Sequence, residues 1–257
     1  MNNIFLTFDL EEFDIPEEFG QKVDFQTKMR MSYKGMEKVL ALFKKYQVKT
    51  TIFCTACYAE NNIKQIQRIV LEGHEIASHG YFHSTFEVGD LLKSREKLME
   101  ISGQKVIGFR MPRLQPVSYS ELQKAGYQYD SSMNPTFLPG RYNHLDKPRT
   151  VYKLPEIIIL PTSVTPFGRI PLFWLGFKNY PEWYFQFAAK RCLKKDGYLS
   201  LYFHPWEFCD LSSYQLPKYV KRIDNDKLLK RLENLILALK SSENQFSTIE
   251  SFLFPSI

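Results

Sequence analysis

The sequence predicts an α/β domain whose strands lie in a parallel sheet or barrel. Strand-like apolar segments alternate with segments of helical spacing along most of the chain. The connections between them are short, as repeated β-α units require. Residues able to do chemistry stand directly after the strand-like segments, where β/α folds gather their sites.

Taken in chain order, Ile4–Leu10 is a run of apolar residues and Thr, the pattern of a buried strand. Met36, Val39, Leu40 and Phe43 recur at helical spacing and predict a helix over Met36–Tyr46. Thr50–Cys54 returns to strand character. Ile63, Ile66, Ile69 and Val70 mark a second amphipathic helix, which Gly73 ends. Glu75–Ser78 reads as a strand, Val88–Ile101 as a helix and Val106–Phe109 as the next strand. A brief helix over Ser118–Ala125 stops at Gly126, and Tyr127–Asp130 is strand-like again. From 133 to 181 the chain turns to Pro and aromatics. We read this stretch as an insertion of loops and irregular strands, with one strand at Ile157–Leu160. Long loops in a compact domain usually line a pocket or carry function. Helix Glu182–Lys194 precedes Gly197, and Tyr198–Phe203 is a strand. Asp226–Lys240 is the strongest amphipathic helix, and Thr248-Ile249 reads as a last short strand. No Gly/Ser linker divides the chain, so one domain over 1–257 is expected.

Composition narrows the function classes. Of 257 residues, 44% are hydrophobic and 24% charged, which excludes wholesale disorder. No apolar run approaches the roughly 18 residues of a membrane span. Lys and Arg number 34 against 28 Asp and Glu, a net charge of +6. The basic residues are scattered in short pairs, so a solvated surface is expected and no nucleic-acid partner. The opening MNNIFLTFDLEE has neither the basic nor the apolar region of a secretory leader. A cytoplasmic location follows as the expectation, with work on a precursor or a lipid-linked glycan at the inner membrane face. Cys54, Cys57, Cys192 and Cys209 are too few for a disulfide framework in a chain this long. The Cys54-Thr-Ala-Cys57 spacing closes a strand-like run and reads as packing rather than a redox or zinc site.

Five short segments carry chemistry. His79 and His83 stand four apart after the Glu75–Ser78 strand, a spacing that lets two imidazoles meet one metal. Thr7-Phe8-Asp9-Leu10-Glu11 runs an apolar strand into acids. Strand alternation turns Asp9 and Glu11 to the same side. Two carboxylates buried together need a cation or an Arg between them. Arg110, in Arg110-Met-Pro112, can hold a carboxylate through paired hydrogen bonds. Asp130-Ser-Ser follows another strand. Leu201-Tyr-Phe-His204-Pro205 delivers a histidine where proline halts the strand. Each segment alone is unspecific. Together they supply what metal-assisted hydrolysis needs: a cation site, a base, an acid and groups to orient them.

In this order the motifs resemble the polysaccharide deacetylase family, the NodB homology domain of carbohydrate esterase family 4. That family shows T-F-D-acid, H-[S/T]-x-x-H, R-x-P, an Asp motif and L-x-x-H. The likeness spans about residues 4–207. It implies a distorted (β/α) barrel of about seven strands and one divalent metal, zinc by preference. The implied activity is removal of acetyl groups, N-acetyl first, from an acetylated carbohydrate or polysaccharide precursor. By similarity Asp9 is the general base, Arg110 orients it, His204 is the general acid and Asp130 holds His204. His79 and His83 are metal ligands, and the backbone N–H of Arg113 is the oxyanion donor. Two departures stand out. Leu10 replaces the acid that usually follows the first Asp, so we expect Glu11 as third ligand. Gly80 replaces the usual Ser or Thr after the first His. The HPWEF (204–208), DSS (130–132) and LPE…PTS (154–163) strings resemble deacetylases tied to cell-surface polysaccharide production. Tyr81, Phe82, Phe173, Trp174 and Trp206 are candidates for stacking on sugar rings. Two other readings stay open. One is an allantoinase-like amidase acting on a non-peptide C–N bond, motivated by the altered acid motif. The other is a catalytically inactive sugar-binding relative.

Overall fold

The first strand organises everything else. In a computed structural model, which describes residues 1–255, β1 (Asn2–Leu10) is buried along nearly its whole length. Ile4, Leu6, Phe8 and Leu10 point outward into a large apolar core beneath the helices, while Phe5 belongs to a separate core inside the sheet. Strand alternation therefore puts Phe5, Thr7, Asp9 and Glu11 on the inner face.

The chain continues through α1 (Phe25–Tyr46), β2 (Thr51–Cys54), α2 (Ala56–Asn61), α3 (Ile63–Leu71) and β3 (Glu75–Ser78). Next come α4 (Gly89–Ser102), β4 (Gly108–Phe109), α5 (Tyr119–Lys124) and β5 (Tyr129–Asp130). The Pro- and aromatic-rich stretch holds the hairpin β6 (Phe137–Leu138) and β7 (Tyr142–Asn143), then β8 (Tyr152–Lys153), β9 (Ile158–Ile159) and α6 (Trp174–Asn179). The chain ends through α7 (Glu182–Asp196), β10 (Tyr198–Phe203), α8 (Asn225–Leu239), β11 (Asn244–Phe246) and α9 (Ile249–Leu253).

Strands β10-β1-β2-β3-β4-β5-β9 lie in that order and every pair is parallel. These are the seven expected strands. Antiparallel β8 extends the far edge, and β11 pairs with the start of β1. The gap between the sheet's two ends is bridged by irregular chain rather than by a ladder. Just past β9, the Ser163 N–H donates to the Ser200 carbonyl of β10 at 2.8 Å, and the Ser200 N–H donates to Ser163 Oγ at 2.9 Å. The result is a deformed α/β barrel. Its interior is filled at one end by Phe5, Phe53, Ile107, Tyr129 and Tyr198, with Ile249 of α9 packed beneath them. The other end holds the polar residues.

Several elements differ from the sequence expectation. Helix α1 starts eleven residues early, capped by Asp24, whose side chain accepts from the Thr27 N–H at 2.9 Å. Its first half buries Met29, Ser32 and Gly35 at helical spacing. Two of these three are not apolar, so the periodicity fades from the sequence. Gly35 is required there: a Cβ would lie 1.8 Å from the Pro205 carbonyl oxygen. The last strand is Asn244–Phe246, not Thr248-Ile249. Thr248 instead caps α9, accepting from the Ser251 N–H at 3.2 Å. The strands expected at Val106–Phe109, Tyr127–Asp130 and Ile157–Leu160 are shorter ladders of two residues each.

Candidate active site and metal centre

The C-terminal ends of β1, β3 and β10 deliver side chains to one cleft, while Arg110 and Ser131, past β4 and β5, stand behind it. From β1, Asp9 and Glu11 reach it on the inner face, both almost wholly buried. His79 follows β3 directly, and the loop after it returns His83. The two rings stack with centroids 5.8 Å apart. His79 Nε2 lies 3.1 Å from Glu11 Oε2, and His83 Nε2 lies 3.2 Å from the same oxygen. Each ring is held from behind through its other nitrogen. His79 Nδ1 donates to the Arg110 carbonyl at 2.7 Å, and His83 Nδ1 donates to Asp14 Oδ1 at 2.7 Å. Those bonds fix both tautomers so that the Nε2 lone pairs face Glu11, the usual way in which outer groups orient metal-binding histidines.

Three acceptor atoms crowded into a buried space repel unless a cation lies among them. The one Glu and two His donor atoms lie within 4.8 Å of one another. Two imidazoles and one carboxylate form a recurrent catalytic zinc set that leaves a position open for water or substrate. The residues thus fit a divalent ion. Without one, a proton takes part of its place. Burial opposes charge on His83, but the Glu11 and Asp14 carboxylates outweigh it and push the ring up to about 9. Burial likewise opposes charge on Glu11, but His83, His204 and the His79 hydrogen bond hold that carboxyl well below the usual range. Trp206 Nε1 donates to Glu11 Oε1 at 3.2 Å and fixes the far oxygen.

Asp9 sits beside this cluster. Arg110, fully buried, donates Nη1 to Asp9 Oδ1 at 2.6 Å and to Thr7 Oγ1 at 2.9 Å. Its other nitrogens go to Ser131: Nε to the carbonyl at 3.1 Å and Nη2 to Oγ at 3.0 Å. The guanidinium rests 3.9 Å above the Phe53 ring. With Oδ1 so held, Asp9 Oδ2 is 4.0 Å from His79 Nε2 and 4.0 Å from His204 Nε2.

The expectation that Asp130 holds His204 is corrected. Tyr129 points inward, its ring packed near Phe53 and its hydroxyl donating to Glu75 Oε1 at 2.7 Å. Strand alternation then turns Asp130 to the outer face and Ser131 back in. Asp130 accepts from the Ser132 hydroxyl and, at 3.2 Å, from the Ser132 N–H. Burial pushes its carboxyl up to about 6. The partner of His204 is Glu207. Its Oε1 accepts from the His204 backbone N–H at 2.8 Å and from Nδ1 at 3.1 Å. Pro205 opens a 3₁₀ turn, Pro205–Phe208, that folds Glu207 back onto the histidine three residues before it. Burial opposes charge on His204, but Glu11, Glu207 and Asp9 outweigh it and raise the ring.

The insertion forms one wall of the cleft. Leu138, Arg141 and Tyr142 from the β6–β7 hairpin line it, with Phe173 and Trp174 from the segment that enters α6. Trp206 lines it too, whereas Tyr81 and Phe82 pack on each other at 4.9 Å and take no part in the lining. Arg113 also lines the cleft, with φ +56, and Leu114 follows at φ +52. Two successive left-handed residues without glycine cost of order 1–3 kcal/mol each and bend the chain sharply at the cleft. The cysteines lie elsewhere in the core. All four are buried and free, and burial pushes Cys57 up to about 12, so none offers a reactive thiolate.

A sequence profile of the family described as "Polysaccharide deacetylase" matches residues 3–129, which hold the acid, histidine and arginine segments. A "Peptidoglycan deacetylase" from Helicobacter pylori is 33% identical over 108 residues, 38% of this chain and 37% of the relative. The chain thus spans little more than a third of that relative's length. Among solved structures, the "probable Polysaccharide deacetylase" from Pseudomonas aeruginosa PAO1 is 18% identical and superposes with a TM-score of 0.69 over 97% of this chain and 88% of the other. The PuuE allantoinase is 17% identical with a TM-score of 0.66, over 99% and 92%. At such identities these two show the shared barrel alone. Profile, relative and barrel agree with the order of motifs around the cleft, and the chain belongs to the polysaccharide deacetylase family.

Proposed function

We propose that the chain is a metal-dependent hydrolase that removes acetyl groups, N-acetyl first, from a carbohydrate or polysaccharide precursor. One observation carries this reading. An arginine-held carboxylate, Asp9, lies between a buried three-donor cluster and a carboxylate-held imidazole, with His79 Nε2 and His204 Nε2 each 4.0 Å from its Oδ2.

Glu11, His79 and His83 would hold one divalent ion, and we assign zinc from the donor set. When bound, such an ion polarises a carbonyl and lowers the pKa of water toward neutrality. The chain's own residues do the rest. Arg110 fixes Asp9 Oδ1 and leaves Oδ2 to take a proton from the attacking water as its oxygen joins the acetyl carbon. The negative charge then gathering on the acetyl oxygen needs a donor. We assign the backbone N–H of Arg113 at the sharp turn in the cleft wall. Donors of this kind are worth about 3–4 kcal/mol. His204, anchored by Glu207 at Nδ1, passes its Nε2 proton to the amine nitrogen as the C–N bond breaks. Acetate and a free amine leave. Trp174, Phe173 and Tyr142 offer ring faces on which a sugar can stack.

The test is acetate release from N-acetylated chitooligosaccharides by the zinc-loaded protein. Asp9→Asn is expected to lower turnover by about 100-fold or more. No release by the wild type, or equal release by Asp9→Asn, would remove the proposal.

A further inference from the structure

Lys178 lies in α6, inside the insertion, and is completely buried. Its Nζ is 3.2 Å from Glu207 Oε2, and Glu207 is also completely buried. Nζ otherwise faces two indoles, 5.8 Å from the ring centre of Trp174 and 5.9 Å from that of Trp206. Neither Nζ nor Oε2 has a well-aligned hydrogen-bond partner among the described residues. The ammonium is therefore balanced by the carboxylate and by the two ring faces, and the carboxylate by the ammonium and His204. Burying an ammonium costs several kcal/mol, and an apolar side chain would fill the space without that cost. The position calls for a role that packing does not supply.

The role follows from what Glu207 must do. Its Oε1 takes both the backbone N–H and Nδ1 of His204. The terminal torsion of a glutamate is broad and does not by itself set the carboxylate plane. Something must hold Oε2 from the far side, and Lys178 is what touches it. Trp174 and Trp206 flank both Lys178 and His204: their rings lie 5.1 Å and 4.9 Å from the imidazole, edge-on and stacked respectively. We propose that Lys178 is a positioning residue for the acid step: it fixes Glu207 Oε2, so that Oε1 holds His204 Nδ1 and Nε2 is aimed into the cleft. This rests on the deacetylase reading. It also gives the insertion a second task, since the segment that walls the cleft brings the lysine behind the histidine.

The signature is a dependence on the leaving group. An amine leaves only when protonated, whereas 4-nitrophenolate leaves as the anion. Lys178→Met is expected to lower kcat on an N-acetylated chitooligosaccharide about 10–100-fold with KM unchanged, the usual size for losing such an outer-shell partner. Hydrolysis of 4-nitrophenyl acetate should stay within about twofold of the wild type. Equal loss on both substrates would overturn the inference. Lys178→Met strands a buried carboxylate, so the substitution is repeated in the Glu207→Gln background, where the double variant carries neither charge. There Lys178→Met should add nothing, and a further loss of full size would overturn it. The positional claim is also read without turnover. In long-range 1H–15N NMR, Lys178→Met should displace the His204 Nδ1 signal, and an unmoved signal contradicts it. A wild type that releases no acetate while showing this displacement sinks the deacetylase reading and leaves the positioning role standing.

Discussion

Arg110→Met is expected to destabilise the protein more than any surface change and to do so through one neighbour. Arg110 is wholly buried and donates to Asp9, Thr7 and Ser131 while resting on the Phe53 ring. Methionine fills much of the volume, so the cavity term is small. The large term is Asp9, left as a buried carboxylate with its Oδ1 unpaired. Breaking a buried ion pair from one side costs about 3–5 kcal/mol. In a chain of this size each kcal/mol moves Tm by about 2–4 °C, so a fall of roughly 6–20 °C is expected. Urea unfolding followed by circular dichroism in the presence of chelator reads the loss without help from a bound ion. A second substitution checks the cause. Asp9→Asn in the Arg110→Met background removes the stranded charge and should recover at least about 1 kcal/mol. A loss below about 1 kcal/mol, or a double variant no more stable than the single one, would show that no stranded Asp9 charge is at work.

Other outcomes follow from the same geometry. Zinc at 100 times its Kd should raise stability by about 2.7 kcal/mol, and thermal melts of Glu11→Gln or His83→Ala should lose that increment. Asp130→Asn should leave acetate release near the wild-type rate, because Asp130 bonds Ser132, while Glu207→Gln should lower kcat about 10–100-fold. Gly35→Ala should disturb the turn that carries His204, since its Cβ would meet the Pro205 carbonyl. A loss of about 1–3 kcal/mol with reduced activity is expected in denaturation and turnover assays. Glu75 is buried inside the barrel, and burial raises it from 4.5 to about 7 against the donors Thr51, Glu250 N–H and Tyr129. Because the folded state holds this proton more tightly, its contribution is full below pH 4.5 and is lost as pH rises through about 7. Denaturation midpoints across that window should show the decline, and Glu75→Gln should flatten it.

Much of the site is legible in the sequence because strands enforce a simple geometry. The alternation that buries Phe8 and Leu10 outward turns Asp9 and Glu11 inward, so the two acids can be paired from the letters alone. The same rule, carried through Tyr129, turns Asp130 away from His204, but the letters alone do not show it, because the orientation of so short a strand is set by its neighbours and not by its own pattern. Glu207 is visible in hindsight: a proline directly after His204 starts a turn, and a turn returns the third residue on. Asp14 and Lys178 carry no such local signal. Asp14 meets His83 across 69 residues, and Lys178 meets Glu207 through a helix inside the Pro-rich insertion. Their roles exist only once the barrel has closed. The first half of α1 was hidden for a different reason, since Ser32 and Gly35 face the core as small residues that leave room for the 205–208 turn.

The most direct test of the central claim is an anomalous difference map at the zinc edge from crystals of the zinc-loaded protein. One peak is expected about 2.0–2.2 Å from Glu11 Oε2, His79 Nε2 and His83 Nε2, inside the cleft that Asp9 and His204 share. A map whose only peaks lie elsewhere, or none at all at saturating zinc, would contradict it.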